Sequence, residues 1–269
     1  MKFAVLSDIH GNLPALDAVI ADAHAQAVDG FLNLGDIVSG PLWPAETAER
    51  LMPLGWPTIA GNHERQLLTQ PVDRMSATDR HTAPRLTAAH RAWLASWPPT
   101  NRLRDDLLLC HGTPSSDLHY LMETVTPSHV RGGDPGVRAA TRDELLQRLG
   151  DVLLGVPGAL ILCGHTHRPR CERLADGRMV VNPGSVGLPA YDDTHPHPHV
   201  IESGSPHARY AIVIRNNEGW GVKLRKVAYD HEAAARQAEQ HGRGDWADAL
   251  RSGRMGRYEA DLPTLGPSF

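Results

Sequence analysis

The stretch FAVLSDIHGNLPALDAVIADAHAQAVDGFLNLGD, residues 3–36, decides the fold class. Residues 3–7 form a short apolar run of the kind that makes a buried strand. Leu13, Leu16, Val19, Ile20 and Ala23 then recur three and four apart, the spacing of one helix face. A second apolar run fills residues 31–34. Strand, helix and strand in this order make a βαβ unit, which predicts a parallel strand pair in an α/β protein.

The alternation continues outward. Residues 44–52 read as a helix with Pro44 in its first turn, 57–60 as a third strand, and 82–97 as an amphipathic helix with Trp93 and Trp97 turned to the core. Leu107–Cys110 and residues 159–163 are further apolar strands. Residues 170–174 and 179–181 flank Asp176 and Gly177, a pair that turns antiparallel strands, and 209–214 and 220–227 form a second hairpin across 216–219. Thr141 with Glu144 is a capping box opening a short helix to Leu149, and a polar, Ala-rich helix begins near His231 with Gly242 and Gly244 as its breakers. Two stretches fit the alternation poorly: 113–137, dense in Gly, Pro and Ser, and 192–206, which contains His195, His197 and His199 alternating with proline. Both are expected to be loops over a functional face. A single domain, 1–269, accommodates the whole, with a lid or cap at about 113–150 and a loop insertion at about 192–206.

Composition narrows the function classes. A chain of 269 residues can bury a substantial core, and its 25 Gly and 21 Pro stay below the roughly 25–30% that marks low complexity. A formal net charge of −4 argues against general nucleic-acid binding and against anionic membranes. No apolar run approaches the roughly 20 residues of a membrane span, and Met1 leads into the first strand without the apolar region of a secretory leader. The expectation is a soluble, cytoplasmic protein. Cys110, Cys163 and Cys171 are odd in number and without paired spacing, so they are read as small buried hydrophobes and not as a disulfide framework or zinc knuckle. The 16 histidines outnumber Phe, Trp and Tyr together, and their placement carries the functional argument.

Each of five strands is followed at once by groups able to ligate a metal: Asp8 and His10, Asp36, Asn62 and His63, His111, and His165 and His167. Loops at the carboxyl ends of α/β strands line one edge of the sheet, where ligands bind. Gly35, Gly61, Gly112 and Gly164 beside them suit tight turns and close backbone approach. Carboxylate, amide oxygen and imidazole together suit Mn²⁺, Fe or Zn²⁺, and eight such groups exceed the needs of one ion.

These motifs, DIH at 8–10, GD at 35–36, GNHE at 61–64, HG at 111–112 and GHTH at 164–167, are similar in content and order to those of the calcineurin-like metallophosphoesterases. The segment NPGSVG at 182–187 resembles the small bacterial phosphodiesterases among them. The resemblance implies a four-layer αββα sandwich of two mixed β-sheets flanked by helices, and two divalent ions per chain: manganese first, with iron, zinc, cobalt or nickel as alternatives. It implies that Asp8, His10, Asp36 and His167 hold the first ion, that Asp36 bridges, that Asn62, His111 and His165 complete the second, and that His63 is the catalytic histidine, binding no metal. Glu64 stands where many members of this branch have Asp and is read mainly as opening the next helix, the alternative being that it orients His63 or nearby backbone. The sequence GDIV at 35–38 lacks the longer motif of the Ser/Thr protein phosphatases, which counts against a phosphoprotein phosphatase.

Two ions roughly 3.5–4 Å apart can bridge a water, acidify it to hydroxide near neutral pH and neutralise phosphoryl oxygens. No motif offers an activated Ser or Cys, so in-line attack of that hydroxide on phosphorus is expected, with His63 protonating the leaving oxygen. The expected substrate is a small phosphorylated molecule, a phosphodiester or a nucleotide-type phosphoanhydride. A phosphomonoesterase is the alternative within enzymes; a metal-stabilised scaffold, like the retromer subunit of this fold, is the alternative outside them and is disfavoured by the presence of His63. The stretch after His111 is read as a substrate wall, with Tyr120 packing on an organic group and His119, His129 and Arg131 meeting further phosphates. The run from His195 to His199 is read as a polar loop, with a substrate-facing role as the alternative. A homo-oligomer is compatible with the chain and not required by it.

Overall fold

The computed structural model describes residues 1–262. The chain opens with β1 (Lys2–Leu6), α1 (Leu13–Ala25) and β2 (Gly30–Asn33), and β1 runs parallel to β2 with Val5 opposite Leu32. Helices α2 (Pro44–Leu51), α3 (Asn62–Thr69), α4 (Ala77–Thr82) and α5 (Ala88–Ala95) follow, then β3 (Thr100–Arg104) and β4 (Leu107–Cys110). A small ladder of β5 (Glu123–Val125) and β6 (Val137–Ala139) precedes α6 (Arg142–Leu149), β7 (Leu160–Leu162), β8 (Arg170–Arg173) and β9 (Met179–Asn182). A second ladder pairs β10 (Ala190–Asp193) with β11 (His199–Glu202), the long hairpin β12 (Ala208–Asn216) and β13 (Gly219–Val227) comes next, and α7 (His231–Gln240) and α8 (Gly244–Ser252) follow it.

Two mixed sheets result, in the orders β13-β12-β1-β2 and β3-β4-β7-β9-β8. Side-chain alternation sorts their residues into layers. Val5 of β1, Leu107 and Leu109 of β4, Leu160 and Leu162 of β7, and Ala211 and Val213 of β12 meet between the sheets. Their neighbours point the other way: Ala4, Leu6, Tyr210 and Ile212 pack under α1, α2, α3 and α5, while Leu108, Cys110 and Ile161 pack under Leu145 and Leu149 of α6. The layers are helix, sheet, sheet and helix, the four-layer sandwich that the resemblance implies. Helices α7 and α8 form a further cluster with Leu42, Leu188 and Ala190. Among the described residues no helix is long and apolar enough to cross a membrane.

Several local expectations need correction. Residues 57–60 make a single parallel bridge, Asn33 to Thr58, because Pro57 lacks an N–H and the Ala60 N–H turns away to the Pro98 carbonyl at 2.9 Å. The helix read over 82–97 is interrupted: Pro84 ends one segment, and Thr87 caps the next by accepting the His90 N–H at 3.2 Å. The stretches read as loops, 113–137 and 192–206, each contribute strands to a two-stranded ladder. Within the segment of about 113–150 read as a cap, α6 lies in the outer helical layer and packs with Leu121, Met122 and Ala140. Cys171, read as buried, is exposed on the edge strand β8. The helix from His231 does break where expected, with Gly242 in left-handed backbone at φ 73°.

Candidate metal centre

The carboxyl ends of β1, β2, β4 and β7 and the start of α3 converge on one point, and the backbone there is unusual. Seven non-glycine described residues have left-handed φ, and five of them are Asp8 (55°), His10 (51°), Asp36 (55°), His165 (68°) and His167 (53°). Such backbone costs on the order of 1–3 kcal/mol per residue and persists where surrounding bonds over-determine it. Those bonds are present. The Asp8 N–H donates to the Gly35 carbonyl at 3.0 Å, the His10 N–H to that of Asp36 at 3.0 Å, and the Gly164 N–H to that of His111 at 2.8 Å. The 182–187 segment ties the loops from behind: Asn182 Nδ2 donates to the Gly164 carbonyl at 2.7 Å, and Ser185 Oγ to the Asp8 carbonyl at 2.8 Å. Gly61 is required by close approach, since a Cβ there would collide with the Asp36 carboxylate.

Two groups of donors emerge, Asp8 with His10 and His167, and Asp36 with His111 and His165, their ligand atoms within 4.8 Å of one another in each group. Asp36, which the resemblance makes a bridge, lies with the second group, and the Asn62 amide oxygen joins it 3.2 Å from His111 Nε2. Asp8 Oδ1 sits 3.4 Å from His167 Nε2 and 4.0 Å from His111 Nε2, so it faces both groups.

The imidazoles are held in the tautomer a ligand needs. Nδ1 of His10, His111 and His167 each lies 2.7 Å from a backbone carbonyl, of Ser39, Leu34 and Leu188 respectively. Each Nδ1 therefore carries a proton, and each Nε2 faces inward. His10 Nε2 and His167 Nε2 stand only 3.1 Å apart, a repulsive approach for two lone pairs that a cation between them converts to attraction. Asp8 Oδ1 is buried with no hydrogen-bond partner. These features fit divalent cations.

Electrostatics agree. Burial opposes ionisation of Asp8 and Asp36, yet the surrounding histidines hold both below the usual carboxylate range. Burial, with the neighbouring His167, pushes His10 down to about 4; burial, with His111, pushes His165 down to about 3. His111 is raised to about 9 because Asp36 and Asp8 outweigh its burial, which marks a point where positive charge is drawn in and a cation competes with a proton.

His63 belongs to neither group. Its Nδ1 lies 2.9 Å from Asp79 Oδ1, and that oxygen also accepts the Ser39 hydroxyl at 2.6 Å. Burial alone would lower its pKa, but the Asp79 and Asp36 carboxylates raise it to about 10, so the imidazole carries a proton. Asp79 was not among the candidate residues. Ser76 three residues before Asp79 is a helix-capping pattern, and the Asp79 N–H does donate to Ser76 Oγ at 3.0 Å, but that pattern marks a helix start and not the contact with His63. Glu64 does more than open α3. Its buried carboxylate accepts the N–H groups of Asp36 (2.8 Å), Ile37 (2.9 Å) and Gly61 (2.8 Å), which joins the second ligand loop to the third.

Above this floor is a cavity of 1260 Å³. Tyr120 and His119 line it; the Tyr120 hydroxyl is 2.7 Å from that of Tyr191 and 2.9 Å from His199 Nε2. His195 also lines it, whereas His197 does not. His129 and Arg131 are placed elsewhere, against the segment after α8: His129 beside Tyr258, and Arg131 over the Tyr258 ring and paired with Asp261. Trp246 of α8 contributes to the wall, its ring centroid 5.9 Å from that of His10.

The family model described as calcineurin-like phosphoesterase matches residues 1–169. An uncharacterised protein of Methanocaldococcus jannaschii is 40% identical over 267 residues, covering 90% of this chain and 94% of that one. The crystal structure of a metallophosphoesterase from Sphaerobacter thermophilus has a TM-score of 0.69 at 24% identity, over 94% of this chain and 100% of that chain. A hypothetical protein from Pyrococcus horikoshii OT3 gives 0.66 at 17% identity, over 95% and 99%. These two structures share the fold.

Proposed function

The chain belongs to the calcineurin-like phosphoesterase family and is a metal-dependent phosphoesterase; from that premise we propose that it hydrolyses phosphodiesters or nucleotide-type phosphoanhydrides, using two divalent cations, manganese first among them, and His63 as the catalytic residue. Asp8, His10 and His167 would hold one ion, and Asp36, His111 and His165, with the Asn62 amide oxygen, the other. Bound there, divalent cations supply Lewis acidity, neutralising phosphoryl oxygens and lowering the pKa of water.

The observation that carries the reading is His63. It lines the cavity beside both donor groups, and Asp79 occupies its Nδ1. Nε2 is then the nitrogen that can give a proton to a leaving oxygen. Asp79 holds the ring by a bond on the side away from the substrate and keeps it protonated. A binding scaffold has no use for that pair. The cavity supports the diester half of the proposal, because its 1260 Å³ exceeds the roughly 300–1,000 Å³ of an ordinary small-molecule pocket. Its lining also flanks both sides of the floor, with Thr124 and Gln147 on one side and Thr78 and Trp246 on the other.

The test is Mn²⁺-reconstituted protein, assayed for metal content and for turnover of bis-p-nitrophenyl phosphate and p-nitrophenyl phosphate. Two ions per chain and a higher kcat/KM on the diester are expected. His63→Gln should keep both ions while kcat falls by about 10²–10⁴-fold. Unchanged turnover in that variant rejects the role of His63, full activity with one ion rejects the dinuclear centre, and a preference for the monoester selects the phosphomonoesterase.

A further inference from the structure

The cavity extends past the metal floor beneath β5 and α6, where Glu123, Thr124, Gln147 and Arg148 line it. Glu123 is 2% exposed. Its Oε2 is buried with no hydrogen-bond partner. A buried acceptor without a donor is destabilising, and a donor brought by a ligand would satisfy it. Arg148 does not relieve it: Nη1 donates to the Leu121 carbonyl at 2.9 Å and the Glu123 carbonyl at 2.8 Å, and Nη2 to Thr124 Oγ1 at 2.7 Å. Arg148 is also the one guanidinium that lines the cavity, no lysine does, and Asp192, Asp193 and Glu259 add three more carboxylates. A second phosphate entering here would meet the Glu123 carboxylate and a guanidinium already engaged, in a cavity whose other charged lining away from the floor is acidic. A hydroxyl or amino group would meet acceptors.

We infer that Glu123 is a specificity-determining residue, accepting a hydrogen bond from a hydroxyl or amino group on the organic part of the substrate, so that the substrate is a phosphodiester of a donor-bearing alcohol and not a polyphosphate. This rests on the phosphoesterase reading above and narrows it. It also replaces the expectation of further phosphates at His129 and Arg131, whose side chains are engaged with the segment after α8.

The experiment uses three p-nitrophenyl phosphodiesters that share a leaving group and differ in the second alcohol: glycerol, 2-aminoethanol, and 2-methoxyethanol, which has no donor. Wild-type enzyme loaded with Mn²⁺ should show kcat/KM about 10–100-fold higher on one or both donor-bearing esters than on the methoxy ester. Whichever of the two is higher identifies the polyol or the amino alcohol. Glu123→Gln keeps the volume but loses the charge and one acceptor; Glu123→Leu should collapse that ratio towards one, and Glu123→Gln should lower it even if the leucine variant does not fold. Equal rates on all three esters in the wild type, or an unchanged ratio in both folded variants, overturns the inference. No turnover of any ester overturns the phosphoesterase reading instead; calorimetry of glycerol phosphate against 2-methoxyethyl phosphate then decides the inference, with equal affinities defeating it.

Discussion

The floor and the roof of the cavity are built by opposite means. In the floor, buried charge-assisted bonds predominate: Glu64 receives three backbone N–H groups, and the His63 N–H donates to Asp36 Oδ1 at 3.0 Å. Bonds of this kind contribute about 1.5–3 kcal/mol each. The roof consists of the β5–β6 and β10–β11 ladders and the residues after α8. Its rim against the segment after α8 is closed by partly exposed contacts: Arg131 to Asp261, the Met255 N–H to Glu202 at 2.9 Å, and the Glu259 N–H to Asp192 at 3.2 Å. Exposed ion pairs contribute about 0–1 kcal/mol. A rigid floor keeps the reacting groups in place while a loosely tied roof can be rebuilt around different alcohols, so chemistry and selectivity are separable by mutation.

That contrast can be broken at its strongest point first. Asp36→Ala removes a ligand, the acceptor of the His63 N–H and the partner of His111 at once. Its turnover should fall by more than the roughly 100-fold typical of groups that only support a ligand, with loss of bound Mn²⁺ in elemental analysis; a variant retaining both ions would show that the floor tolerates change as the roof does. Asp79→Asn should be milder, lowering kcat by roughly 10-fold or more with metal content intact. The sign of its pH effect follows from the pair. The Asp79 carboxylate raises His63 towards about 10, so its removal lowers that pKa. The alkaline limb of kcat/KM, where the acid loses its proton, should then move to lower pH. An unmoved limb would mean that Asp79 only packs against the ring. At the weak end, Arg131→Ala should leave the urea unfolding midpoint nearly unmoved and the metal content unchanged. A loss as large as that in Asp36→Ala would erase the distinction between the two surfaces.

The same division decides what could be read from the chain. Although Asn62 opens α3 after a single bridge, Asp8, Asp36, His111 and His165 stand just past the apolar strands β1, β2, β4 and β7, so most of the floor was legible residue by residue. Two supports were not. Asp79 reaches His63 from another helix, a contact that only tertiary structure makes, and Glu64 acts on backbone N–H groups that no side-chain pattern reveals. The roof was largely illegible because its strands are three or four residues long and lie between Gly- and Pro-rich turns. Tyr120 was found because it follows His111 closely, but Trp246 and Glu259 arrive from the far end of the chain with no motif to mark them.

The pairing of β1 has a bearing on how the molecule is made. Lys2 to Val5 are synthesised long before their partners, because they lie opposite Ile214 to Ala211 of β12. At about 5–20 residues per second, one edge of β1 waits on the order of 10–40 s for its partner to emerge. During that interval the strand has β2 on one side and an open ladder on the other, and the loop bearing Asp8 and His10 has neither His167 nor Ser185 to hold it. Pairings of such long sequence separation close slowly. The floor, although its first loop precedes β12 by most of the chain described, therefore assembles late, and the unpaired edge of β1 is a place where a growing chain needs shelter from aggregation.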